Sequence, residues 1–277
     1  MGISSASFNY VSDFARRQAA IVIDPGKEYL VETRLAGLAR DHAEGSLERF
    51  VDLLRGEPAS SALRARALDA LTTNETSFFR DFHPYEALRK RILPDLMAAK
   101  GDGARLSIWS AACSAGQEPV SLALLLREHF PALADVRASI LATDLSGSVL
   151  DQARAGRYTQ FEVNRGLPAM LLAKHFKKHE DRWQVSESIR SMIEYRQRNL
   201  IEPLPSQERH DLVMLRNVLI YFDVPTKQRI LSAIRERMAP GGILLLGTAE
   251  TTLHLDPAWE IVRAENSTVF RLKAEAR

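Results

Sequence analysis

The residues best suited to chemistry begin with a run of small side chains, Ser110-Ala111-Ala112-Cys113-Ser114-Ala115-Gly116, closed by Gln117-Glu118-Pro119. The run follows the apolar segment Leu106–Ser110, and Pro119 suits the first turn of a helix. It therefore reads as a strand-to-helix loop where backbone can approach a ligand closely. A dinucleotide fingerprint would need three spaced glycines there. Gly116 alone points to a less anionic ligand, or to a packed turn that holds none. Asp144 ends a second apolar segment, where a carboxylate can accept both hydroxyls of a ribose or cap the next helix, a duty for which Ser146 competes. Glu118 stands at a helix start, either to complement the helix dipole or to meet an ammonium group. Arg216 and Asn217 close a third apolar segment, and a guanidinium there needs a protein carboxylate or an anionic ligand. Asn199-Leu200 precede that segment and could border an adenine. The stretch Asn74-Glu75-Thr76-Ser77-Phe78-Phe79-Arg80 sets two phenylalanines among Asn74, Thr76 and Arg80. It is an aromatic wall with hydrogen-bonding groups, or a linker whose phenylalanines plug a core.

Other chemistries find less support. His175 and His179 stand one helical turn apart, but no third and fourth ligands accompany them, so no metal site is expected and both read as exposed residues of an insertion. Cys113, the single cysteine, excludes an internal disulfide and fits packing better than nucleophilic attack. A formal net charge of +2 gives no case for nucleic acid or an anionic membrane, and no basic stripe with interleaved aromatics appears. Charges interrupt every apolar run before it reaches membrane-spanning length, and MGISSASF lacks the basic start and apolar core of a signal peptide. A cytoplasmic protein is expected.

The elements that must position these residues fall into two groups. Phe8–Arg17, Tyr29–Asp41, Leu47–Arg55 and Ser61–Leu71 carry apolar positions at helical spacing, which predicts a helical domain over residues 1–73. From Arg105 short apolar runs alternate with helical ones: strands at Leu106–Ser110, Ser139–Asp144, Asp211–Leu215 and Ile243–Gly247, and helices at Pro119–His129, Ser146–Ala155 and Pro225–Met238. That alternation predicts a parallel sheet covered on both faces, over 74–277. Pro240-Gly241-Gly242 reads as a tight exit from the last helix into the sheet. Leu167–Phe176 looks helical, and Trp183–Val185 with Met192–Arg196 predict a small antiparallel insertion over 175–197. Trp259–Val262 and Thr268–Lys273 predict a closing antiparallel pair.

Together the segments TTNETSFFR (72–80), SIWSAACSAGQEPVSLA (107–123), ILATDLSGSVLDQARAGRY (140–158), RNL (198–200) and LRNVLIYFD (215–223) resemble the chemotaxis receptor methyltransferases of the CheR type, in the family's order and over most of the chain. The resemblance implies a class I S-adenosylmethionine-dependent methyltransferase: a Rossmann-like, mostly parallel seven-stranded sheet with C-terminal antiparallel strands, an N-terminal all-α domain that meets the receptor, and a small antiparallel β-subdomain. It implies S-adenosylmethionine as cofactor, S-adenosylhomocysteine as product, and receptor glutamates as acceptors. Cofactor contacts are then expected at Asn74, Thr76, Arg80, Glu118, Asp144, Asn199, Leu200, Arg216 and Asn217, with Arg80 and Tyr221 nearest the reacting centre.

On this resemblance the partners are the cytoplasmic helices of methyl-accepting receptors, met by a monomer that is recruited to receptor arrays and neither enters the membrane nor binds nucleic acid. Arg55, Arg64 and Arg66 are candidates to face an acidic receptor helix, or else form a solvated face. Some members of the family hold a receptor's C-terminal pentapeptide through a glycine-containing loop. Here Lys177-Lys178-His179-Glu180-Asp181-Arg182 has no glycine, so recognition without that tether is expected. The rival readings are a nicotinamide oxidoreductase, opposed by the missing glycines and the closing strand pair; a nucleic-acid methyltransferase; and a non-catalytic adaptor that binds the cofactor, opposed by the presence of Arg80 and Tyr221.

Overall fold

A computed structural model describes residues 2–101, 103–136 and 138–273. The chain divides into two compact units, one of residues 1–73 with 221–226 and one of residues 74–220 with 227–277.

The helical unit contains α1 (Ser5–Ala19), α2 (Glu28–His42), α3 (Leu47–Gly56) and α4 (Ala62–Leu71). Serine hydroxyls start three of them: Ser4 accepts from the Ser7 amide, Ser46 from Arg49 and Ser61 from Arg64. Val11, Phe14, Val31, Leu35, Phe50, Val51, Leu54 and Leu71 form one buried cluster, each large side chain contributing about 1.5–3 kcal/mol. The arginines here are used locally. Arg64 reaches inward to the carbonyls of Leu54 and Glu57 at 3.2 and 3.4 Å and packs over Phe14, so it closes the end of α3. Arg55 pairs with Asp52 at 3.0 Å and Arg66 with Asp41 at 3.6 Å. The stretch 221–226 belongs to this unit through the Val22 amide, which donates to the Tyr221 carbonyl at 3.0 Å, and through the Arg16–Asp223 ion pair at 3.1 Å.

The second unit runs α5 (His83–Ala87), a π-helical turn (Leu88–Ile92), α6 (Leu93–Lys100), β1 (Leu106–Ala111), α7 (Gln117–His129), α8 (Pro131–Val136), β2 (Ala138–Asp144), α9 (Gly147–Ala155), β3 (Arg157–Thr159), α10 (Gln160–Asn164), α11 (Ala169–His175), β4 (Phe176–His179), β5 (Arg182–Val185), α12 (Glu187–Arg190), β6 (Ile193–Gln197) and β7 (His210–Leu215). A 3₁₀ turn (Leu219–Tyr221) then leads into α13 (Val224–Arg235), β8 (Met238–Leu246), β9 (Trp259–Ala264) and β10 (Ser267–Leu272). No helix among the described residues is long and apolar enough to cross a membrane.

Seven strands form the main sheet in the order β6-β2-β1-β7-β8-β10-β9. β6, β2, β1, β7 and β8 pair in parallel, and β10 runs antiparallel between β8 and β9. β1 is the point at which successive connections turn to opposite sides, and open parallel sheets bind ligands at such a switch, beyond the carboxyl ends of the strands. The register aligns those ends: Ala111 pairs with Thr143 and with Leu215, and Asp144 with Gln197. Burial of both faces explains the continuous apolar runs of β1 and β7, with Trp109 fully buried on β1.

Three expectations need correction. The small antiparallel sheet has the order β3-β5-β4, while Ile193–Gln197 joins the main sheet beside β2, so the insertion does not extend to 197. Ile193 is buried and Glu194 and Arg196 are exposed, an alternation that suits an edge strand of either sheet. α13 stops at Arg235, and β8 begins before Pro240-Gly241-Gly242. The irregularity those residues cause is absorbed as a register shift opposite His210 and Leu212. His175 is buried at 7% exposure, with Nε2 2.7 Å from Glu128 Oε1, and only His179 is exposed.

Candidate active site

The loop leaving β1 is fixed at almost every residue. The Cys113 amide donates to the Thr143 carbonyl at 2.9 Å, the Ser114 amide to Asp144 Oδ2 at 2.8 Å, the Ser114 hydroxyl to the Asn74 carbonyl at 2.9 Å, and the Tyr158 hydroxyl to the Ala115 carbonyl at 3.1 Å. Gly116 has φ +88°, and a Cβ there would lie 2.9 Å from the Ala153 Cβ and 3.1 Å from the Tyr195 hydroxyl oxygen. Only glycine fits that turn. Cys113 is buried, and its thiol is pushed well up by burial and by the nearby Asp144 and Glu118 carboxylates, so it packs and does not attack.

Asp144 lies at the carboxyl end of β2, where its Oδ1 accepts from the Ser146 amide at 3.0 Å. Ser146 itself caps α9 by accepting from Val149 at 3.3 Å. The capping duty falls to the serine, and the aspartate is held at the strand end by two backbone donors. Asn199-Leu200 follow β6, whose end is tied to the end of β2: the Arg198 amide donates to the Asp144 backbone carbonyl at 2.9 Å. Asn199 fixes its own turn, its Oδ1 accepting from Ile201 at 3.3 Å.

Arg216 resolves the question of its partner in favour of protein carboxylates. Its side chain is 1% exposed and donates to Glu118 at 3.1 Å, to Asp81 at 2.8 Å and to the Arg80 carbonyl at 2.8 Å. Glu118 also accepts from the Ser110 hydroxyl at 2.8 Å. Burial pushes the Glu118 carboxyl up, against the pull of Arg216 and Ser110. Arg216 thereby ties three segments together: the stretch 74–81, the start of α7 and the end of β7.

Within the stretch 74–80 the two phenylalanines serve packing. Phe78 is fully buried, with its ring edge-on to Tyr158 and Phe176, and Phe79 packs against Tyr85 while its amide donates to the Ser121 hydroxyl at 3.0 Å. Thr76 is half-buried, and Arg80 donates to the Glu75 carbonyl at 2.9 Å from a partly exposed position. Phe79, Asp81, Phe82, Ala112, Ser114 and Asn217 all have positive φ, between 46° and 68°. Three of them precede α5 and three follow the ends of β1 and β7, segments that Arg216 joins, and strained backbone gathered there marks a place where position matters more than local comfort. Tyr221 is half-buried and falls in the other unit.

Sequence reasoning missed Asp81 and Glu250. Asp81 lies 135 positions from Arg216, and no local pattern links them. Glu250 accepts four backbone amides, from Asn217, Val218, Leu219 and Gly247, at 2.7–2.8 Å. Its one visible signal is a glutamate three residues after the glycine that follows the last parallel strand. Among the described residues no group of three or more His, Cys, Asp or Glu side chains is arranged to hold a metal.

Six strands that run one way, a reversed strand between the last two of them, and a carboxylate ending the strand beside the small-residue loop define a class I S-adenosylmethionine-dependent methyltransferase. The family model of the CheR methyltransferase SAM-binding domain matches residues 74–267, and the chain belongs to that family. It is 40% identical over 277 residues to chemotaxis protein methyltransferase 1 of Pseudomonas aeruginosa, covering 99% of this chain and 100% of that one. It is 35% identical to chemotaxis protein methyltransferase Cher2 of Pseudomonas putida, over 99% and 100% of the two chains. It is 36% identical to a chemotaxis protein methyltransferase of Vibrio parahaemolyticus, over 98% of each. S-adenosylmethionine is the cofactor, and the residues fit it: a carboxylate ends β2 beside the small-residue loop, and a nucleoside without phosphates needs no glycine-rich cradle.

Proposed function

We propose that the chain esterifies glutamate side chains on the cytoplasmic helices of chemoreceptors, forming 5-O-methyl esters. The observation that carries this reading is that the carboxylates of Glu118, after the small-residue loop, and Asp144, at the end of β2, are already engaged. Glu118 is paired with Arg216, and Asp144 accepts two backbone amides, so neither is poised as a general base. An acceptor with an ordinary pKa of about 4.3 needs none, because it is already a nucleophilic anion at neutral pH. When bound, S-adenosylmethionine supplies the activated methyl group. The chain's own residues bind, align and exclude water, and alignment supplies roughly 7–11 kcal/mol in favourable cases.

In this reading Asn74, Thr76, Arg80, Glu118, Asp144, Asn199, Leu200, Arg216 and Asn217 surround the cofactor, with Glu118 and Arg216 acting through the ion pair they form. Arg80 fixes the methionyl carboxylate or the incoming glutamate, and Tyr221 orients the methyl group with its ring face toward positive charge. The helical domain of residues 1–73 meets the receptor. The enzyme acts as a monomer recruited to receptor arrays, and it needs no receptor pentapeptide. The hairpin of β4 and β5 closes through only Glu180-Asp181, which supports that last point.

Methyl transfer from radiolabelled S-adenosylmethionine to receptor-containing membranes tests the reading. Base-labile label on receptor, unchanged when the receptor's last five residues are removed, is the expected result. Base-stable label, or none, overturns it. Full turnover by Arg80→Ala and Tyr221→Phe would remove those two assignments.

A further inference from the structure

We propose that Glu250 is a positioning residue for methyl transfer, holding the backbone of Asn217–Leu219 in the one arrangement that lets Asn217 meet the cofactor. The proposal rests on the reading that Asn217 borders the cofactor.

Three successive amides, of Asn217, Val218 and Leu219, point at a single carboxylate, at 2.7, 2.8 and 2.7 Å. Consecutive N–H groups converge on one anion where the backbone changes hand or begins a helical turn, and both occur here: Asn217 has φ +59° and a 3₁₀ turn starts at Leu219. The resulting concavity is of the kind that binds anions. Here it is filled from within the chain, by a side chain from the loop after β8.

Glu250 is itself fixed. Its amide donates to the Gly247 carbonyl at 2.9 Å, and its Oε2 accepts from the Gly247 amide at 2.7 Å. Gly247 shows how close the packing is. A Cβ there would lie 2.7 Å from Glu250 Oε2, 2.8 Å from Asn217 Nδ2 and 2.9 Å from the Asn217 nitrogen. The Asn217 side chain thus lies against a backbone that has no room for any residue but glycine. Arg216 anchors the other end of the segment through Glu118 and Asp81. The loop after β7 is therefore gripped on both sides of Asn217, by a buried guanidinium before it and by a four-donor carboxylate after it.

A glutamine at position 250 keeps the size but turns an N–H₂ toward the donors, leaving some of the four amides without an acceptor. An aspartate keeps the charge but falls one methylene short.

The test uses the full chain as Glu250→Gln, Glu250→Asp, Asn217→Gly and the Gln/Gly double variant. Asn217→Gly removes the side chain without opposing the positive φ. Thermal unfolding checks folding, calorimetry with S-adenosylhomocysteine gives Kd, turnover on receptor membranes gives kcat and KM, and amide exchange follows residues 216–220. Glu250→Gln is expected to weaken S-adenosylhomocysteine at least tenfold and to speed exchange in that segment. Glu250→Asp is expected to fall between it and wild type. The double variant is expected to be no more than about twofold worse than the weaker single variant, because both lose the same contact.

Unchanged Kd, kcat and KM in Glu250→Gln, or single-variant effects that multiply in full, overturns the proposal. Should Glu250→Gln not fold, wild-type behaviour of Glu250→Asp overturns it equally. Wild-type affinity in Asn217→Gly instead removes the cofactor role of Asn217, a separate failure that leaves the exchange result to report on the clamp.

Discussion

Replacing Gly166 by alanine probes the stretch 74–80 without touching any residue assigned to the cofactor. Gly166 joins α10 to α11 with φ +89°, and a Cβ built on it would lie 2.0 Å from the Phe78 carbonyl oxygen and 3.1 Å from its carbon. The left-handed backbone alone costs an L-residue about 1–2 kcal/mol. Overpacking adds about 1–3 kcal/mol, because the obstacle is main chain and no rotamer change relieves it. Phe78 cannot retreat: its ring is fully buried against Tyr158 and Phe176, and the next amide is bonded to Ser121. The expected loss is roughly 2–5 kcal/mol, or about 4–20 °C in Tm for a unit of this size. Displacement of the backbone beside Asn74 and Thr76 should also weaken S-adenosylhomocysteine in calorimetry. Gly241→Ala is the control, since Gly241 has φ +77° and nothing within 4 Å of the added carbon. It carries the strain without the clash and should keep wild-type affinity. If Gly166→Ala melts no lower than Gly241→Ala and binds the ligand normally, the close passage of 166 under Phe78 is refuted.

Arg216→Ala should lose about 3–5 kcal/mol in urea unfolding, because Glu118 is left buried with its charge uncompensated. Pairing Arg216→Met with Glu118→Gln should cost less than Arg216→Ala alone, and a larger loss would show that the ion pair is not what holds the segments. Asp144→Asn removes a charged acceptor and should weaken S-adenosylhomocysteine about 10–100-fold by calorimetry, while unchanged affinity would remove Asp144 from the ribose. His210 is held below its ordinary 6.5, chiefly by burial, and its Nδ1 lies 3.0 Å from the Ser107 hydroxyl. Below pH 6.5 the unfolded chain takes a proton that the folded one refuses. Its contribution is therefore complete above that pH and declines as pH falls toward the folded value. His210→Gln should flatten this acid limb in Tm against pH, and parallel curves for the two proteins would contradict the assignment.

Where a segment's environment is uniform, its residue pattern shows the element directly. β1, β2 and β7 are buried on both faces and appear as apolar runs, and α1, α3 and α4 as apolar stripes behind serine caps. Legibility fails where two environments demand the same pattern. Ile193–Gln197 alternates as an edge strand must, and nothing local says which sheet it edges. Arg157–Thr159 lies directly behind the helix-ending Gly156 and is too short to announce itself as a strand. Pro240-Gly241-Gly242 resembles punctuation, yet lies inside β8 because a register shift there absorbs it. At the site, the strand ends and the small-residue loop were visible in the sequence. The partners that decide what each charged group does were not: Arg216 finds Glu118 and Asp81 about 100 and 135 residues away, and Glu250 binds amides, which carry no side-chain signature.

The guanidinium of Arg216 also bears on how the molecule comes apart. Positions 81, 118 and 216 belong to stretches of chain made at quite different times, and the cation buried among them is comfortable only when all three are present. A fluctuation that peels one stretch away strands a charge in an apolar interior, so such half-open forms stand high in free energy and are seldom visited. The cofactor loops on the carboxyl edge are thus wired to the sheet beneath them as a single cooperative block. A damaged or unfinished copy would tend to fail outright rather than persist as a folded protein with a slack site, binding the cofactor while misplacing the methyl group.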